Sequence, residues 1–255
     1  MPLTSRTSEL VARTIAAHGG SQLWESAAEV GVEVSSGGLA FASKLQGRAV
    51  RGVDARVSTH GQHVTLSPYP GPGERGVLRE DGSVRIETDG GELISVRESA
   101  REACAHLRHK LWWDRLDILY FATQALWTYI STPFVFERDG YEVRELEPWS
   151  EHGELFRRLA VRFPAYVHTH SREQVFYIDE SGLIRRHDYT ADPISKLAKA
   201  AHYCMDHQSF DGLTIATRRR VYPRKADNTP RARPLLVWIE MPTARILPAD
   251  AQVRV

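Results

Sequence analysis

The sequence is poor in the features that announce a specific chemistry. Only two cysteines occur, Cys104 and Cys204, and they form no CxxC pair. A chain of 255 residues needs no disulfide to fold, so both are expected as buried thiols in a reducing compartment. Charge of neither sign is in surplus, because 33 basic side chains face 32 acidic ones for a net +1. A nucleic-acid binder usually carries a basic excess on one face, so no nucleic-acid partner is expected. The most hydrophobic stretch, Ile118 to Ile130, follows Asp114, Arg115 and Asp117 and falls short of the ~20 apolar residues a membrane helix requires. The opening MPLTSRTSELVARTIAAHGG has neither the basic start nor the apolar core of a signal peptide. A cytoplasmic location with no membrane span is therefore expected. HExxH, a glycine-rich phosphate loop and GxSxG are all missing, which leaves zinc-protease, P-loop and α/β-hydrolase chemistry without their signatures and no cofactor to expect.

Hydrophobic residues at 42% and charged residues at 25% are ordinary for a globular chain. With no linker rich enough to divide it, the chain reads as a single domain over 1–255. Leu10, Val11 and Ile15 are spaced as on an amphipathic helix over 5–18, which Gly19-Gly20 would end, and Ser21 can cap a short helix bearing Leu23 and Trp24. From Glu29 the period becomes two, with Val30, Val32 and Val34 alternating as in a strand. Further strands are predicted at 39–45, 50–57 and 63–66, then a loop at PYPGPGERG and a type I′ hairpin at Asp81-Gly82. Residues 100–110 and 113–130 break the series as two helices, the second apolar on most of its circumference. That pattern places Leu116, Leu119, Tyr120, Phe121, Leu126, Trp127 and Ile130 against the concave side of a curved sheet. Short strands, at 134–137, 141–146, 155–163, 166–178, 183–189, 200–208, 213–222 and 235–246, lead to the C-terminus, with a polar loop at 223–234.

This order resembles the LolA-like (lipoprotein-localisation-factor-like) half-barrel, an α+β fold in which a curved antiparallel sheet holds helices in its concave face. The opening AHGGSQLW at 17–24 resembles the start of LolA-like domains. RFPAYVHTHSREQVFYIDESGLIRRHDY (162–189), AAHYCMDH (200–207) and TRRRVYP (217–223) are similar to an uncharacterised bacterial family within that fold. The best-known members carry acyl chains in the half-barrel, so the resemblance implies a hydrophobic small-molecule ligand. Those carriers are exported, whereas this opening shows no export signal, so an intracellular apolar ligand is expected.

Five of the eleven histidines, His168, His170, His187, His202 and His207, lie between positions 168 and 207. Side chains alternate faces along a strand, so parity can sort them. Pairing Ile178 with Ile184 around Glu180-Ser181-Gly182 sets Tyr177 opposite Arg185 and Val175 opposite His187, with Tyr177, His187 and Tyr189 inward. His168 and His170 then fall on the polar face, where their i, i+2 spacing lacks a third metal ligand, and no metal is expected. A turn at Asp211-Gly212 sets Cys204 opposite Arg219, Asp206 opposite Thr217 and His202 opposite Val221, with His202, Asp206 and Arg219 inward. Arg218 and Arg220 then face solvent. Trp112, Trp113 and Trp127 read either as core or as cavity lining.

The expected interior thus holds His187, Tyr189, His202, Asp206 and Arg219, with Tyr177, Trp127 and Tyr120 as further ligand contacts. Two readings compete. In one the chain is an intracellular, cofactor-independent lyase, isomerase or cyclase of lipid or secondary metabolism. His187 or His202 is its acid/base, Asp206 the orienting carboxylate, and Arg219 and Tyr189 hold a substrate oxygen. The alternative is a non-catalytic binding or carrier protein for a lipid-like ligand. Beneath both, the same residues also fit a purely structural network that fixes strand register.

Overall fold

The computed structural model describes residues 5–46, 50–104, 112–192, 194–195 and 197–248. Helix α1 (Ser5–Ala17) and helix α2 (Ser21–Ser26) open the chain, separated by Gly19 and Gly20, both at positive φ. Gly19 permits a close approach, since a Cβ there would stand 2.7 Å from the carbonyl oxygen of Gly212. Six strands follow: β1 (Ala27–Gly37), β2 (Val50–Ser58), β3 (Val64–Ser67), β4 (Glu74–Leu78), β5 (Val84–Thr88) and β6 (Leu93–Arg97). Eight more run after the mid-chain helices: β7 (Glu142–Glu151), β8 (Glu154–Arg162), β9 (Glu173–Ile178), β10 (Ile184–Thr190), β11 (Lys199–Phe210), β12 (Leu213–Pro223), β13 (Val237–Glu240) and β14 (Ala244–Pro248).

All pairings are antiparallel, and they build one open sheet of 14 strands. Its order is β6-β5-β4-β3-β2-β1-β13-β12-β11-β10-β9-β8-β7, with β14 also pairing β1. The chain starts in the middle of the sheet and meanders out to the edge at β6. It then crosses to the opposite edge at β7 and meanders back to the middle. Two wings of sequential hairpins therefore meet at β1, and the fold is α+β: a curved antiparallel sheet with helices packed on it.

Helices α3 (Leu39–Ala42) and α4 (Ala100–Ala103) are single turns, and α5 (Arg115–Ser131) carries the crossing. Asp114 and Asp117 form a reciprocal capping box at its start, satisfying two backbone donors that a helix end leaves unpaired. Arg97 at the end of β6 binds Asp114 at 2.7 Å and pairs also with the buried Asp117, tying the helix N-terminus to the sheet edge. From Asp117 to Ser131 every residue but Ala122 is buried, as the all-round apolar pattern requires. The helix packs mainly on β2–β5. At Gly76 of β4 it nearly touches backbone, because a Cβ there would lie 2.4 Å from Leu119 Cδ1 and 2.7 Å from Tyr69 Cδ1. Gly76→Ala is accordingly expected to lower unfolding stability by about 1–3 kcal/mol, the usual cost of overpacking; a urea midpoint equal to wild type would refute the close packing.

Several local expectations are corrected. Residues 39–45 form a helical turn instead of a strand, because Gly38 at φ 122 ends β1 and redirects the chain. Residues 134–137 form a 3-10 turn behind Pro133. The strand expected over 166–178 begins only at Glu173. At Asp81-Gly82 only the glycine has positive φ, so the turn is not type I′; both residues have it at Asp211-Gly212 and at His152-Gly153. Of the helix expected at 100–110, residues 105–110 lie outside the described residues.

Candidate functional site

The interior face of the second wing is built by cross-strand neighbours. Leu159, Phe176, His187, His202, Val221 and Val237 stand in one row across β8 to β13. Two residues along each strand, and so on the same face, Cys204, Arg219 and Ile239 form a second row. Tyr189 lies in β10 beside them, and Tyr129 comes down from α5, with Arg219 4.8 Å from its ring centroid.

The β11–β12 register is the one the Asp211-Gly212 turn implied, with Cys204 opposite Arg219 and His202 opposite Val221. The β9–β10 register is not. A bulge between Ile184 and Arg186 sets His187 opposite Phe176 and Arg186 opposite Tyr177. Two residues then oppose one, which reverses the faces beyond the bulge. His187 and Tyr189 still face inward, but Tyr177 lies on the other face, donating its hydroxyl to Asp188 Oδ2 at 2.9 Å. Tyr177 is therefore no contact of an interior ligand. Asp206 is corrected as well. Its φ of 52 turns the side chain outward, where it pairs with Arg218 at 2.9 Å and is half exposed, so it neither orients a histidine nor neutralises Arg219.

The interior polar residues are loosely connected. His187 Nε2 bonds Gln174 Oε1, and Gln174 donates to Thr169 Oγ1 at 2.6 Å and to the Ser171 carbonyl at 2.7 Å. The Tyr189 hydroxyl stands 3.4 Å from that of Tyr129 and 3.5 Å from His202 Nδ1. Arg219 donates to Cys204 Sγ at 3.1 Å and to the Tyr129 carbonyl at 3.3 Å. His202 Nε2, Arg219 Nε and both ring nitrogens of His170 are buried without a partner. Burial, reinforced by the Arg219 charge, holds His187 and His202 well below the usual histidine range. Burial alone takes His170 down to about 3. Burial raises Tyr129 to about 12 and holds Tyr189 well above the usual tyrosine range. These groups stay neutral near pH 7, and only Arg219 carries charge there.

His168 and His170 belong to a loop, not to a polar strand face, because 164–172 makes no sheet pairing. His170 is buried and stacked 4.4 Å from Phe121; His168 Nδ1 meets the Tyr120 hydroxyl at 2.8 Å. Trp127 donates its indole N–H to the Gly61 carbonyl at 2.9 Å. Tyr120 and Trp127 are thus occupied by the protein itself, away from the His187–His202 pair.

Two small cavities lie between α5 and the sheet. One of about 40 Å³ is lined chiefly by apolar groups, among them Val34, Phe41, Leu66, Phe121, Leu126 and Ile239, and ends at His170 and Tyr189. The other, of about 20 Å³, is lined by His187, Cys204, His207 and Arg219 among others. Tyr129 borders both.

The opposite face carries a feature that parity does not assemble, since it sets Tyr177 inward and Arg220 toward solvent. Arg158, Tyr177, Arg186, Tyr203, Arg220 and Trp238 alternate as a ladder across β8–β13. Arg186 is buried, binds Asp188 at 2.8 Å through two nitrogens and Glu151 at 2.8 Å, and lies 4.6 Å from the Tyr177 ring centroid. Residues 223–234 cover it, with Arg224 3.4 Å from Asp188 and the Asn228 carbonyl accepting from Arg186. The shared face of these residues is not legible in the sequence, because the bulge that brings Arg186 opposite Tyr177 carries no sequence mark.

No protein-family model matches the chain, and no curated protein matches it. Three solved structures share its fold. A DUF1329 family protein from Desulfovibrio piger aligns over 98% of this chain and 96% of its own at 12% identity, with a TM-score of 0.54. A putative outer membrane lipoprotein-sorting protein domain from Vibrio parahaemolyticus aligns over 98% and 94% at 9% identity and 0.51. A LolA superfamily protein from Nitrosomonas europaea aligns over 97% and 98%, also at 9% and 0.51. The lyase, isomerase or cyclase expected from the sequence is overturned. Its neighbours in fold are a putative lipoprotein-sorting domain and a LolA superfamily protein, and the His–Asp pair that reading required is not formed, since Asp206 points outward to Arg218. The open antiparallel sheet, the helix packed on its concave face and these alignments together identify the fold as LolA-like.

Proposed function

We propose that this protein is a non-catalytic binding or carrier protein for a hydrophobic, lipid-like ligand. The observation that carries this reading is the apolar cavity of about 40 Å³ between α5 and the concave sheet. It sits at the seam that α5, fastened mainly to β2–β5, leaves against β13 and β10. Ligand pockets usually measure about 300–1,000 Å³, so the closed seam must widen to admit an acyl chain. A seam between a helix and a sheet can do so without breaking any sheet hydrogen bond, and each CH₂ buried contributes about 0.8 kcal/mol. The named neighbours in fold support a hydrophobic ligand in the same direction.

Native mass spectrometry and displacement of a fluorescent acyl probe test the reading. Saturable, stoichiometric uptake of hexadecanol or palmitate is expected. Ala122→Phe, which projects a ring into the cavity from a half-buried position, should weaken that uptake about tenfold or more while leaving the far-UV spectrum unchanged. A folded wild-type protein that takes up neither compound would defeat the proposal.

A further inference from the structure

We infer that Arg219 is the anion-binding end of this ligand site, and that the ligand is an acyl lipid bearing a carboxylate rather than a neutral lipid. The inference rests on the lipid-binding reading above and adds the chemistry of the headgroup.

Arg219 projects from β12 into the interior and is 6% exposed. Among the described residues no carboxylate pairs with it: its donors reach a thiol sulfur and one backbone carbonyl, and its Nε has no partner. The side chains around it, Tyr129, His187, His202 and Cys204, are all neutral near pH 7, for the reasons given above. Asp206, the acid expected to offset it, is turned away by its backbone. A guanidinium keeps its proton under all ordinary conditions, so this is a permanent charge in a site that offers it no counterion. Burying such a charge costs far more than burying an apolar group of the same size. A core built only for stability would be better served by methionine.

Arg219 Nε is a donor the protein leaves unused, and the side chain lines the cavity of about 20 Å³. A carboxylate entering there could accept from it. The cavity at Arg219 measures about 20 Å³, room for little more than one water, so it too must widen to admit a headgroup, and a carboxylate is the smallest anionic one. On the far side of Tyr129 lies the apolar cavity, lined by Val34, Leu66 and Leu126. Tyr129 and Tyr189 meet at a hydroxyl separation of 3.4 Å, a weak contact to part. The two cavities together have the polarity of a fatty acid: a cationic end, a narrow neck and an apolar end.

Three ligands of equal chain length separate the possibilities: palmitate, hexadecanol and hexadecyl phosphate, each titrated by calorimetry into the delipidated protein. Palmitate is expected to bind about tenfold or more tightly than hexadecanol, the worth of a charge-assisted contact. Hexadecyl phosphate, too bulky for the cavity at Arg219, should gain nothing over the alcohol. Arg219→Met should erase the preference for palmitate while hexadecanol still binds, and Arg219→Lys should keep most of it. If Arg219→Met does not fold, the three wild-type affinities and the Arg219→Lys variant still decide. Equal affinity for palmitate and hexadecanol overturns the inference and leaves the lipid-binding reading intact. A phosphate that outbinds palmitate overturns the carboxylate assignment, and no binding by any of the three overturns the lipid-binding reading itself.

Discussion

Acidification from about pH 7.5 to about pH 5 is expected to remove most of the protein's stability, because neutral imidazoles are buried in its core. His170, His187 and His202 are all buried, with His170 held at about 3 and the other two well below the usual value of 6.5. In the unfolded chain each takes a proton near pH 6.5. The sign follows directly: below that pH the unfolded state binds protons the folded state refuses, so stability is fully present above about 6.5 and falls as pH drops. At pH 5 each histidine favours unfolding by about 2 kcal/mol, and together they approach the ~5–15 kcal/mol that holds a typical domain. Urea midpoints at the two pH values measure this. His170→Phe provides the control, since that ring stacks on Phe121 with both nitrogens unpartnered. The variant should be no less stable at neutral pH and should lose about 2 kcal/mol of the acid sensitivity. A midpoint that does not move between the two pH values would mean that these imidazoles are not buried as described.

The second large effect belongs to the opposite face. Removing Asp188 leaves Arg186 buried at 2% exposure with its bidentate partner gone. Stripping one partner from a buried ion pair costs about 3–5 kcal/mol, whereas an exposed pair is worth about 0–1 kcal/mol. Asp188→Ala should therefore lower the unfolding free energy by about 3–5 kcal/mol, and Asp206→Asn, in the half-exposed pair with Arg218, by less than about 1 kcal/mol. The buried pair also holds down residues 223–234, through Arg224 at 3.4 Å from Asp188 and the Asn228 carbonyl on Arg186. Cleavage by trypsin near Arg224 or Lys225 should accelerate in Asp188→Ala before global unfolding. Equal losses in the two variants would count against the buried network.

The limits of legibility lie in particular residues. Gly19-Gly20 marks the end of α1, and the apolar circumference of 113–130 marks a helix buried on several sides, found at Arg115–Ser131; both signals are local and strong. The β11–β12 register could be counted outward from Asp211-Gly212, because a two-residue turn with both residues at positive φ fixes every pair beyond it. The bulge at Arg185 has no such mark, so Tyr177 was assigned to the wrong face while His187 and Tyr189 kept theirs. Asp206 failed for a related reason. Its strand position was right, yet a left-handed backbone at that one residue sent the carboxylate outward. The buried state of His170 was hidden because a loop has no period to count. The interior cation was legible; its lack of a counterion became visible only in three dimensions.

Strand order also carries a consequence for the way the chain becomes a single sheet. From β1 to β6 and from β7 to β13 every strand pairs with its neighbour in sequence, so those contacts close short loops. The wings meet only where β1 pairs with β13 and β14, as at Ser35 with Glu240 and Val30 with Ile246. Joining them closes a loop of nearly the whole chain, and entropy makes such contacts slow to form. Pulsed hydrogen exchange during refolding should protect the amides of β11 and β12 early and those facing β1 from β13 and β14 last. The first strand and the last two, which meet in the middle of the sheet, act as the clasp that turns two meanders into one wall.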